Sequence, residues 1–159
     1  LGSLATVGRD GFPKARTVVL RGAKEEGQEL SAYTDPRTPK WRELRAHPRA
    51  ELLFWDAESK VQLRCSGPIR LHQDDEIALA ARQELPEHVA GDYGALTTPG
   101  EPLAHPQEGT ELGSASQWHF GVIVMAVESM DWLALRRDGH RRACFQKEGS
   151  RWQMSWVQP

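Results

Sequence analysis

Residues 4–22, LATVGRDGFPKARTVVLRG, decide how the rest of the chain is read. Asp10-Gly11 stands between two apolar, β-branched runs. That is a strong hairpin signal, because both residue types accept the positive φ of a tight turn. The run before the turn, residues 3–8, reads as a strand. The run after it, residues 13–21, carries Thr17, Val18 and Val19, whose branched side chains suit a pleated, half-buried surface. A further turn over Lys24-Glu25-Glu26-Gly27 leads to a third strand over 28–34. The chain therefore opens as a meander of three short strands.

The next segment is a helix. Thr38 is a capping residue type, and Pro39 suits the first helical position because its missing N–H would be unpaired there anyway. Trp41, Leu44 and Arg45 fall on one face by i, i+3, i+4 spacing. Pro48 ends the helix, since the residue before a proline is pushed out of the α region. Residues 50–55 read as a buried strand. A turn at Asp56–Ser59 precedes a long strand over 60–71, bent at Gly67-Pro68. Asp74 and Asp75 open a second helix running to Leu85, with Ile77, Ala78, Ala81 and Leu85 as its apolar positions. Residues 91–116 are rich in glycine and proline with little periodicity; a loop that long inside a compact domain is usually functional or mobile. Strands return over 118–128, 130–136, 140–147 and 151–158, with Asp138-Gly139 and Glu148-Gly149-Ser150 as turns. Seven or eight strands with two helices predict a mainly β domain, a β-barrel with inserted helices.

Composition narrows the function. The chain has 159 residues, with 20 Lys+Arg against 22 Asp+Glu and a net charge of −2. One domain over residues 1–159 is expected from that length. The charge balance argues against a general nucleic-acid binder. No run approaches the roughly 18 apolar residues of a membrane helix. The start, LGSLATVGRD, reads as a strand rather than a signal peptide. Two cysteines, Cys65 and Cys144, form no CxxC, so two reduced thiols and a cytoplasmic setting are expected. There is no GxSxG, GxGxxG or GxxxxGK[ST]. The six histidines, at 47, 72, 88, 105, 119 and 140, form no HxH or HxxxH pair, so no protein-held metal is expected.

Basic residues set in apolar strands are the positive signal. Arg16 and Arg21 bracket Thr17-Val18-Val19-Leu20, and guanidinium forks match phosphate oxygens in pairs. Tyr33-Thr34 closes a strand, and Lys40 lies in the first turn of a helix, whose N-terminus favours anions. These residues form either an anion site or solvated charge along a barrel rim. Arg16 and Arg21 are five positions apart, so a regular strand puts them on opposite faces, and a bulge near Gly22 or separate roles is required. Trp132 and Arg142 are placed to face each other across a hairpin, either as a ligand platform or as a cross-strand cation–π pair. Gln62, in a half-buried strand, needs a partner, which a neighbouring backbone or a heteroaromatic ligand would supply.

Four segments in register carry a resemblance: LATVGRDGFPKARTVVLRG, AYTDPRTPKWRELRAHPRAELLFW, VQLRCSGPIRL and MDWLALRRDGHRRACF. Together they resemble the pyridoxamine 5′-phosphate oxidase-like family, the FMN-binding split β-barrels. The resemblance implies FMN as cofactor and a homodimer with flavin at the subunit interface. It implies that Arg16, Thr17, Val18, Val19, Leu20 and Arg21 lie along the flavin, with Arg21 where the family commonly has lysine. Tyr33 and Thr34 match the strand-end pair near the phosphate and ribityl chain, and Lys40 a phosphate-binding lysine. Pro39 stands where the family often has arginine, with Arg37 as the nearby replacement. Gln62 matches the glutamine touching the flavin ring, and Trp132 and Arg142 match residues reaching FMN bound mainly to the partner. His140 matches a substrate-binding histidine. The accompanying arginine is Asp138 here, which would repel a substrate phosphate. The family's tyrosine–arginine–serine set is absent from IALAARQEL, and its second glutamine–serine pair from 91–116. The resemblance thus implies an FMN-dependent oxidoreductase with a diverged substrate site. A non-catalytic split barrel holding haem or a deazaflavin is the alternative, and a nucleic-acid-binding barrel is disfavoured by the charge.

Overall fold

The computed structural model describes residues 1–26, 28–86, 89, 91–106, 108–109, 111–113 and 118–159. Gly27 of the second turn, His88, and positions 107, 110 and 114–116 of the long loop lie outside the described residues. In chain order the elements are β1 (Gly2–Val7), β2 (Pro13–Val18), β3 (Leu20–Lys24), β4 (Glu29–Thr34) and α1 (Pro39–Ala46). They continue with β5 (Arg49–Asp56), β6 (Val61–His72), α2 (Glu76–Gln83), β7 (Gly121–Ala126), β8 (Ser129–Ala134), β9 (Arg141–Glu148) and β10 (Arg151–Val157). The described residues thus hold ten strands, more than the seven or eight expected.

One of the added strands comes from the opening run. Residues 13–21 are two strands, not one. β2 pairs with β1 through Val18, while β3 begins at Leu20 and pairs with β4, with a register shift between Leu20 and Gly22. The chain changes partner at Val19, and local sequence carries no mark of that. Residues 118–120 precede β7 rather than belonging to it.

All the pairings are antiparallel, and β6 joins the two halves of the molecule. Its first part pairs with β5 and β8, and its last four residues pair with β7. Following the ladders from β1 through β5, β6, β7 and β4 to β3 returns to β2, the same chain run, and so to β1. That closure makes a barrel, from which β8, β9 and β10 extend as a continued sheet. The switch in β6 falls at Gly67, where a Cβ would lie 1.8 Å from the Ala126 carbonyl oxygen. Glycine is required there because the β7–β8 corner passes directly over the strand.

The barrel interior follows from period-two alternation. Leu4, Leu52 and Cys65 lie side by side on β1, β5 and β6 and are buried. Leu44 and Trp41 of α1 plug the same core, with Ile123 and Met125 of β7. Each fully buried large aliphatic side chain of this kind contributes about 1.5–3 kcal/mol. Burial also pushes the Cys65 thiol up to about 11, and both cysteines are free. β7 is buried on both faces, because Val122 and Val124 point the other way, into a cluster with Ala78, Val89, Tyr93 and Phe120.

Three burial expectations change. Arg45 is exposed, and Glu43 is the third buried residue of α1 with Trp41 and Leu44. Ile77 on α2 is 47% exposed, while Ala78 carries the contact. β5 is buried on one face, since Leu52 is enclosed but Trp55 is 50% exposed. Thr38 occupies the N-cap position of α1 without capping it; its hydroxyl donates to the Asp35 carbonyl at 2.7 Å. No helix among the described residues is long and apolar enough to cross a membrane.

Candidate functional site

A groove of about 640 Å³ runs between β2 and the first turn of α1, lined by Lys14, Arg16, Thr38, Pro39, Lys40 and Glu43, with Pro99 and Gly100 at its edge. Three of the expected cofactor residues meet here. Lys40 Nζ donates to Thr34 Oγ1 at 3.0 Å, and Thr34 Oγ1 lies 3.4 Å from Thr38 Oγ1. Arg16 approaches from β2 and is held by Glu43 at 2.6 Å. Burial is the main cause that lowers the Lys40 pKa, and the nearby Arg16 charge adds to it. Among the described residues no carboxylate pairs with Lys40 directly. A half-buried cation in that state, at the positive end of a helix dipole, favours an incoming anion.

Arg37 does not replace the arginine missing at Pro39. Its Nε and Nη2 donate to the Asp35 carboxylate at 3.0 and 2.7 Å. Its remaining reach goes to the Ala95 and Leu96 carbonyls at 2.6 and 3.1 Å. Arg37 therefore ties the loop after α2 to the corner before α1, and its fork is spent on protein.

Arg21 lies elsewhere. It stands 5.9 Å over the Tyr33 ring, in a pocket of about 380 Å³ between α2 and β3, β4 and β7. Tyr33 also meets Phe120 edge to face at 5.1 Å. The two arginines of the opening run thus have separate surroundings, and the irregularity expected near Gly22 is present. Between them, Val18 is in the core, Thr17 and Val19 are exposed, and Leu20 is half-buried.

The outer face of the extended sheet holds a third group. Register sets Trp55, Gln62, Leu133 and Arg142 in one cross-strand row over β5, β6, β8 and β9. Ser3 and Thr17 belong to the same face through β1 and β2. Arg142 Nε and Nη2 donate to Asp131 at 3.0 and 2.7 Å, and Arg64 pairs with the same carboxylate. Trp132 does not face Arg142. It lies opposite Ala143, on the other face, and meets Trp156 edge to face at 6.4 Å. A one-residue offset in the hairpin register reverses the face, and sequence did not resolve that offset.

His140 sits in the exposed β8–β9 turn, where its Nδ1 accepts the Arg136 N–H at 3.2 Å. Asp138 in that turn pairs with Arg141 at 3.2 Å. Glu43 and Asp131 are the charged residues that sequence reasoning missed. The only available signal for Glu43 was an acid at an interior helix position, and for Asp131 an acid in an apolar strand beside Trp132.

Closure of the barrel through β2–β3, with a basic groove at its α1 corner, defines a split β-barrel of the kind on which FMN-binding domains are built. Residues 2–73 match the family model described as pyridoxamine 5′-phosphate oxidase, FMN-binding domain. A pyridoxine/pyridoxamine 5′-phosphate oxidase from Thermosynechococcus vestitus is 32% identical over 99% of this chain and 78% of its own length. The chain belongs to this family. A relative of the same description from Deinococcus deserti is 43% identical over 48% of this chain, a match that covers 35% of the relative. In fold, the chain is similar to a pyridoxamine 5′-phosphate oxidase-related, FMN binding protein from Nostoc punctiforme. The TM-score is 0.86, with 24% identity over 99% of this chain and 87% of that one.

Proposed function

We propose that this chain is an FMN-dependent oxidoreductase that works as a homodimer on a substrate other than pyridoxamine phosphate. The observation that carries the proposal is Lys40: a half-buried ammonium without a carboxylate partner among the described residues, donating to Thr34 beside Arg16 in an open groove. A phosphomonoester supplies the missing negative charge. Lys40, Arg16 and Thr34 would hold the phosphate of FMN. The exposed Thr17 and Val19 would flank the rest of the cofactor, with Gln62 and the partner's Arg142 reaching it across the outer face of the sheet. Trp132, on the opposite face beside Trp156, does not join Gln62 and Arg142 in this reading. When bound, FMN supplies a ring that accepts a hydride from the substrate.

The remaining residues bear on what the substrate is. Asp138 and its ion pair with Arg141 line the turn that holds His140, so a dianionic substrate phosphate meets an acid there. Arg21, over Tyr33 and against α2, offers a cation in the separate pocket that α2 covers. Two free cysteines fit a reducing cytoplasm.

The test is a visible spectrum of the purified protein before and after adding FMN and desalting. Retained flavin bands near one per subunit support the proposal. In the Lys40→Met variant FMN affinity should fall roughly 10- to 100-fold, the equivalent of ~1.5–3 kcal/mol for a lost charged hydrogen bond. A colourless protein that ignores FMN overturns the flavin reading, and a Soret band would put haem in its place. Anaerobic bleaching of the bound flavin then screens candidate substrates.

A further inference from the structure

Glu43 is an acid on an interior face of α1 and is 7% exposed. A carboxylate buried to that degree must be paired and hydrogen-bonded. Its Oε2 accepts the Thr6 hydroxyl at 2.6 Å and Arg16 Nη2–H at 2.6 Å. Arg16 Nη1 in turn donates to the same Thr6 oxygen at 2.6 Å and to the Leu4 carbonyl at 3.2 Å. Glu43, Thr6 and Arg16 close a triangle that joins α1, β1 and β2.

The donor count gives the triangle its meaning. A guanidinium carries five N–H groups. Both on Nη1 and one on Nη2 are engaged as described. The Nε–H and the second Nη2–H have no partner among the described residues, and Arg16 lines the groove that Lys40 lines. Glu43 and Lys40 are three residues apart on one short helix, so α1 sets the placement of both.

We propose that Glu43 is a positioning residue for phosphate recognition. It grips one end of the Arg16 guanidinium, and the unpaired donors at the other end join Lys40 on a phosphomonoester. Arg16 is thereby ordered before the ligand arrives, which removes the cost of fixing a long side chain on binding. The Glu43 charge also balances Arg16, so that two cations stand together in the groove and Lys40 carries the excess positive charge. This inference rests on the reading of the groove as the seat of a phosphate.

The experiment compares wild type, Glu43→Ala, Glu43→Gln and Thr6→Val in titrations with FMN, riboflavin and inorganic phosphate. Riboflavin lacks the phosphate and reports the rest of the flavin contacts. Glu43→Ala should lose roughly tenfold or more in FMN affinity with riboflavin affinity unchanged. Glu43→Gln still accepts from Arg16 and should hold FMN near the wild-type level. Thr6→Val should shift FMN in the same direction as Glu43→Ala and by less, and it carries the test if Glu43→Ala does not fold. Equal losses for FMN and riboflavin would mean a merely structural role and overturn the inference, as would unchanged FMN affinity in Glu43→Ala and Thr6→Val. Inorganic phosphate separates the two readings. A wild type that binds phosphate more tightly than Glu43→Ala, yet does not retain FMN, upholds the positioning role and overturns the cofactor. Equal phosphate binding by the two overturns the positioning role whatever FMN does.

Discussion

Asp131 lies between two guanidinium groups, Arg142 on β9 and Arg64 on β6. The hydrogen bond from Arg142 is the largest cause holding its carboxyl below the usual range; burial opposes the shift and Arg64 adds to it. A carboxylate whose pKa is depressed by folding contributes stability above its unfolded value of about 3.9, and that contribution is lost as pH falls through the native value. Asp131→Asn should therefore be less stable than wild type at pH 7. Its melting temperature should also fall less steeply between about pH 5 and pH 2. Thermal melts at closely spaced pH values check this, and parallel curves would show that the clamp contributes nothing. The same clamp fixes where Arg142 can reach. An aspartate at this point of an apolar strand is visible in the sequence, but its two partners come from strands 67 and 11 positions away. No local pattern links them.

At the scale of elements, β6 is the member on which closure depends. It serves two parts of the sheet because Gly67 lets the Ala126 carbonyl pass at a distance that no Cβ would allow. Gly67→Ala must push β6 and the β7–β8 corner apart. The expected cost is about 3 kcal/mol or more, at or beyond the usual range for overpacking. Urea unfolding followed by tryptophan fluorescence measures it, and a midpoint within error of wild type would refute the close approach. Gly121 has a related place, since a Cβ there would stand 2.7 Å from the Trp41 ring. The small residue lets α1 seat its indole on the first residue of β7. Gly67-Pro68 was legible as the special point of the long strand, and β6 changes partner there. The break at Val19 was not, because valine is as good a strand former as its neighbours and the change there is one of partner.

For the whole molecule, the outer face of the extended sheet is the unfinished surface. Val7 and Trp55 lie on it and Val19 at its edge, at 42%, 50% and 45% exposure. Gln62 and Arg142 stand in the same row as Trp55. Exposed apolar side chains gathered in one patch with a polar rim are the usual mark of a protein contact. A second copy on this face is the proposed occupant. Light scattering should then return about twice the chain mass of 17.8 kDa. Trp55→Arg should shift the protein toward monomer and lower FMN retention, with the melting temperature of the monomer preserved because Trp55 is outside the core. A Trp55→Arg protein that stays dimeric and keeps its flavin would remove this face from the interface.

Short-range chemistry was enough for the element types. Asp10-Gly11 marks a turn, Pro39 and Pro48 bound a helix, and alternating branched residues make strands, because each of these depends on backbone sterics within a few residues. Lys40, Thr34 and Arg16 were also legible as anion-binding types. Which of the candidates meet was settled by pairing. Residues 16 and 21 part company because β2 and β3 join different strands. Trp132 and Arg142 separate because register sets one against Ala143 and the other against Leu133. Arg37 is withdrawn by carbonyls 58 and 59 positions away. Glu43 enters the site because helix packing against β1 leaves a buried carboxylate with Arg16 as its cation. Side-chain type is a property of the residue, whereas register, partner and burial are properties of contacts distant in sequence. Only the closed barrel fixes those.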